Sequence, residues 1–145
     1  MSHAPDPASL PCSPLDETDG LKYFPRMVGK IRLQASGLLW EELVANLGKG
    51  SDAACLGVLH ISYEDLQARV AQGGSDSEIL TWCQEMTRPL NDTDRLVWNS
   101  YISKLGWNDH ITPMLVKRKA DSGLNGREDI QTMAHYIDVD EGRRP

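Results

Sequence analysis

Apolar residues in this chain recur at intervals of three and four rather than two, and that spacing restricts the fold more than any other feature. Phe24, Met27, Val28, Ile31 and Ala35 mark one helix face, and Gly37 stands where a left-handed C-cap belongs. Leu39, Trp40, Leu43, Val44 and Leu47 form a second amphipathic stretch that stops at Gly48-Lys49-Gly50. Ser51 or Asp52 is placed to cap a short helix through Leu59, and Ser62 to open one carrying Tyr63, Leu66 and Val70. Ser75-Asp76-Ser77-Glu78 is a capping box ahead of Ile79, Trp82, Cys83 and Met86. Asn91 caps a stretch holding Val97, Trp98, Tyr101, Ile102 and Leu105, which Gly106 ends. Asp109 is placed to cap a further helix, and the spacing of Ile130, Met133, Ala134 and Ile137 predicts a last one over residues 127–137. No segment alternates apolar and polar residues long enough to read as a strand. The expectation is an all-α, compact single-domain globule of six to seven short helices.

A chain of 145 residues is the size of one domain. It can bury roughly 70% of its unfolded surface without staples. Residues 1–19 hold Pro5, Pro7, Pro11 and Pro14 among serines and acids, and such a segment buries too little apolar surface to offset its ordering entropy. It is expected to be a flexible arm, with the helical domain over residues 20–145. Cys12, Cys55 and Cys83 are widely spaced and odd in number, which suits a reducing compartment. No apolar run approaches the ~18 residues needed to span a membrane, and no secretory signal opens the chain. A cytoplasmic protein is expected.

The net charge of −6 is uneven. Asp6, Asp16, Glu17 and Asp19 face no base within the first twenty residues, so the remainder is nearly neutral. That remainder lacks the basic footprint on which nucleic-acid affinity depends. A helix–turn–helix reading of residues 62–86 fails for the same reason, since its second helix would carry Asp76, Glu78 and Glu85 to the phosphates.

Within this neutral background one basic stripe stands out. Lys22, Arg26 and Lys30 are four residues apart on one helix face, Arg32 is close by, and no acid falls between Leu21 and Trp40. Such a stripe serves a phosphate or carboxylate ligand, or pairs with distant acids such as Glu41, Asp138 or Asp140. Gly48-Lys49-Gly50, just ahead of a helix start, could aim backbone N–H groups at an anion. It is not a phosphate-binding loop, because Gly50 rather than Ser or Thr follows Lys49. Cys55, near a helix start and followed by His60, is the candidate nucleophile, against the commoner reading of a buried inert thiol. His3, His60, His110 and His135 are scattered without metal-ligand spacing, and Asp138-Val139-Asp140 runs out of chain before completing a calcium loop. Asn99, Trp107 and Asn108 are candidates for walling a polar ligand, or for capping backbone groups.

Several stretches together resemble a bacterial family of unknown function, number 5069 among catalogued domains. They are residues 20–27, 30–33, 46–50, 96–99 and 104–109, joined by 127–132 and 138–143, so the resemblance covers about residues 13–144. It implies a compact helical domain and carries no reaction, cofactor or catalytic residue. The family pattern has an aromatic residue and an arginine near positions 51–54. Ser51, Ala53 and Ala54 stand here instead, so no role for that arginine carries over.

The functional expectation is a non-catalytic helical domain that binds a small anion or an acidic protein partner, but neither nucleic acid nor membrane. Arg26, Lys30 and Lys49 would carry the site, with Asn99, Trp107 and Asn108 as further candidates. No metal or cofactor is indicated. Two alternatives stay open: a small enzyme with Cys55 as nucleophile, and a structural or oligomerisation role through apolar surface around Trp40 or Trp107.

Overall fold

Local caps and tight glycine turns cut the chain into short helices. A computed structural model describes residues 5–145, so His3 and the first four residues of the expected arm lie outside the described residues. Among the described residues the helices are α1 (Phe24–Ala35), α2 (Glu41–Val44), α3 (Ser51–Leu59), α4 (Tyr63–Ala71), α5 (Asp76–Met86), α6 (Asp92–Lys104), α7 (Thr112–Asp121) and α8 (Met133–Asp140). The fold is mostly α, with eight helices among the described residues against the expected six to seven, and the stretch after Leu39 yields only the four-residue α2 before breaking into turns. Ser62 caps α4, and Ser75 and Asn91 form full capping boxes on α5 and α6.

Two departures have clear causes. The last helix begins at Met133, not near residue 127, because Thr132 caps it and the Met133 N–H is already committed to the Leu105 carbonyl. Ile130 is fully enclosed all the same, as a plug from the preceding turn. The second departure is a minimal antiparallel hairpin, β1 (Glu17–Thr18) paired with β2 (Leu21–Lys22). Asp19 and Gly20 both have positive φ, as a tight two-residue hairpin turn requires. Strands of two residues are too short to leave an alternating pattern.

That hairpin anchors the segment expected to be loose. Residues 5–19 lie against the domain, with Pro11, Ser13 and Pro14 buried. Proline brings no N–H that needs a partner, and the carbonyls of Pro11 and Cys12 accept from Arg143 and Arg26. The Ser13 hydroxyl donates to Asp138 at 2.9 Å.

The main core joins α1, α3, α4, α5 and α6 around Phe24, Met27, Leu66, Ile79 and Leu80. A smaller cluster of Leu115, Ile130 and Tyr136 holds α7 to α8. Met133 packs against both clusters. Gly106, at φ +99°, lets the chain turn between them, where a Cβ would meet the Met133 nitrogen at 3.1 Å.

Candidate functional site

The seam between the two clusters opens into a cavity of about 250 Å3. Its walls are mostly apolar and come from distant parts of the chain: Trp40 and Leu43 at and in α2, Tyr101 and Leu105 at the end of α6, Ile111 and Met114 around the start of α7, and Met133 and Ile137 on α8. Tyr23, Arg26, Lys30 and Glu141 supply its polar floor. Lys49, Ser51, Glu42, Arg118 and Asp140 also line it, with Asn46, Gly50 and Tyr136.

The floor is held by two buried ion pairs. Arg26 donates through Nη1 to Glu141 Oε1 at 2.9 Å and through Nη2 to Glu141 Oε2 at 2.7 Å. Both side chains are 3% exposed. Burial opposes the guanidinium charge, but the Glu141 hydrogen bonds and charge outweigh it, and its pKa rises. Arg143 braces Glu141 at 2.6 Å and Asp138 at 3.1 Å. Lys30 Nζ lies 2.7 Å from Asp52 Oδ1 and donates to the Tyr23 hydroxyl at 3.1 Å. Burial pulls the Lys30 pKa down, and Asp52 offsets part of that fall. Tyr23 Oη donates to Asp52 Oδ1 at 2.6 Å, while the Gly48 N–H donates to Asp52 Oδ2 at 3.0 Å. Burial, then the Asp52 charge, pushes the Tyr23 phenol well above its ordinary value of 10.0.

Tyr23 reaches this position through an unusual backbone. It follows β2 at φ +76°, in the left-handed region, which costs a bulky residue on the order of 1–3 kcal/mol. The phenol, hydrogen-bonded at both ends of the Lys30–Asp52 pair, is what that conformation secures. Gly48 also has a geometric duty: at φ +73° its missing Cβ leaves room for the Tyr63 ring, which would otherwise lie 3.0 Å away.

The basic stripe is therefore not free. Lys22 pairs with Glu17, Arg26 with Glu141, Lys30 with Asp52 and Arg32 with Asp76. None of the expected partners Glu41, Asp138 and Asp140 is among them; Asp138 pairs with Arg143 instead. In the ion-pair network that holds the floor, the bases Arg26, Lys30 and Arg143 balance the acids Asp52, Asp138 and Glu141. No fully buried side-chain nitrogen or oxygen among the described residues lacks a hydrogen-bond partner. Donor capacity does remain. Lys30 has three N–H bonds and spends two, and Arg26 uses only Nη1 and one N–H of Nη2.

Arg26 and Lys30 from α1 and Lys49 from the turn before α3 thus converge on one cavity. Asn99, Trp107 and Asn108 do not line it. Asn99 pins the hairpin, accepting from the Lys22 N–H and donating to the Gly20 carbonyl, each at 2.9 Å. Trp107 is 53% exposed, and Asn108 is an exposed turn residue at φ +48°. Cys55 is fully enclosed, and burial followed by the Asp52 charge pushes its thiol up, which suppresses the thiolate a nucleophile needs. His60 ends α3 in a left-handed conformation on the exposed surface.

Sequence reasoning missed Tyr23, Asp52 and Glu141 as floor residues, and Arg118, Glu42 and Asp140 as lining. The one available signal was the basic stripe itself, since buried bases demand acids somewhere. Among the described residues no group of three His, Cys, Asp or Glu side chains could hold a metal ion, and no helix is long and apolar enough to cross a membrane.

A comparison with curated proteins gives no match. A family profile described as a domain of unknown function (DUF5069) matches residues 8–143. That span takes in α1, the Asn46–Gly50 turn, α6 and the Arg26–Glu141 pair, and with it the chain belongs to the DUF5069 family.

Proposed function

We propose that this domain is a non-catalytic binding module for a small molecule carrying an anionic group. The observation that supports it is a cavity with a mostly apolar wall, toward which Arg26, Lys30 and Lys49 converge. The floor keeps unspent N–H donors on Lys30 and Arg26, which suit an acceptor atom of the ligand. The floor bases are already neutralised, so the counter-charge for an anion comes from Lys49 and Arg118. Neither is in an ion pair with a described residue. At about 250 Å3 the space suits a small molecule rather than an acidic protein. The enclosure of Cys55 weighs against the alternative of a cysteine enzyme.

A thermal-shift screen over small carboxylates and phosphate esters tests this reading. A ligand at a hundredfold excess over its Kd contributes about 2.7 kcal/mol. For a chain of this size that raises the midpoint by roughly 5–10 °C. The gain should vanish in Met114→Trp, which fills the cavity from a half-exposed wall position, and shrink in Lys49→Ala. If no anion shifts the midpoint, or if Met114→Trp leaves the gain intact, the cavity is not the binding site.

A further inference from the structure

We infer that the ligand is zwitterionic, an apolar α-amino acid or a close relative that carries a free amine beside its carboxylate; this rests on the binding reading above. The argument comes from the charges on the lining. Lys49 and Arg118 are balanced by Glu42 and Asp140, and among the described residues none of the four is in an ion pair. A purely anionic ligand would satisfy the two bases and add its charge to the two unpaired acids. A ligand with both charges satisfies all four. The floor enforces the same limit, because its own ion pairs leave no net charge to hold a dianion such as a phosphate ester.

A second observation locates the amine. Asp140 is half-buried and takes up its proton more readily than usual, first because of burial and then because Glu42 lies near it, with Ser122 and the Arg118 charge offsetting only part of that rise. Two carboxylates that disfavour each other at a partly dry surface gain from a cation placed between them. The apolar body of such a ligand would lie along Trp40, Leu43 and Met114.

Isothermal titration with L-leucine, L-phenylalanine, 3-phenylpropanoate, L-phenylalaninamide and phenyl phosphate decides the matter. The expected result is binding of at least one free amino acid. Its amine-free and carboxylate-masked counterparts would each bind at least tenfold more weakly. Asp140→Asn combined with Glu42→Gln should weaken the amino acid at least tenfold and leave 3-phenylpropanoate no weaker. If 3-phenylpropanoate or phenyl phosphate binds the unaltered protein as tightly as L-phenylalanine, the zwitterion inference is overturned while the binding reading stands. If no probe in this set or in the anion screen binds, both fall.

Discussion

Removing the Glu141 carboxylate should cost more than any other change to a single charge. In Glu141→Ala the Arg26 guanidinium, 3% exposed, keeps only the Cys12 carbonyl as an acceptor and loses both carboxylate oxygens. Breaking a buried pair from one side typically costs 3–5 kcal/mol, because the surviving charge stays out of water unpaired. Domains of this kind have only about 5–15 kcal/mol in total. With a urea slope of roughly 1.5 kcal/mol/M, a 4 kcal/mol loss moves the midpoint down by roughly 2.5 M. The companion variant, Arg26→Met with Glu141→Leu, removes both charges and refills the space. It should recover most of the loss, since buried pairs are seldom better than well-packed apolar groups. Urea melts of wild type, Arg26→Met, Glu141→Leu and the double form a cycle, and a coupling energy above about 2 kcal/mol is expected. If Glu141→Ala shifts the midpoint by less than about 0.5 M, water reaches the pair and the closed floor described here is wrong.

Other consequences are quicker to measure. Tyr23→Phe removes a hydrogen bond to a buried carboxylate and should cost about 1.5–3 kcal/mol at neutral pH. Because the Tyr23 pKa is raised by folding, its contribution is whole below the unfolded value of 10.0 and is lost as pH climbs above it. Wild type should therefore lose stability above pH 10 along a limb that Tyr23→Phe lacks, as followed by circular dichroism. Cys55 should react with iodoacetamide at pH 8 far more slowly than a free thiol and at the rate of unfolding; fast labelling of the folded protein would restore it as a nucleophile. Ser75→Ala deletes one half of the α5 capping box and should cost about 1 kcal/mol in a urea melt.

What could be read from the residues was what depends on near neighbours. The caps at Ser62, Ser75 and Asn91 involve groups three residues apart, so the sequence displays both partners at once. The partners of Arg26 and Lys30 are another matter. Glu141 lies 115 residues from Arg26, and no local rule separates it from Asp138 or Asp140 on the same last turns. The α8 boundary was misread because Ile130, Met133, Ala134 and Ile137 keep helical spacing although Ile130 is not on the helix. The cavity was the least legible feature, since it exists only where α2, α6, α7 and α8 fail to close on one another.

The central claim is that small ligands enter this cavity, and its methionines report on it directly. Met114 and Met133 line the cavity, Met27 is enclosed in the main core, and Met86 is exposed at the end of α5. In a methyl-labelled sample titrated with L-phenylalanine, the Met114 and Met133 resonances should move with a common saturation curve while Met86 stays in place. Saturable binding that shifts Met86, or that leaves Met114 and Met133 where they are, would contradict the account.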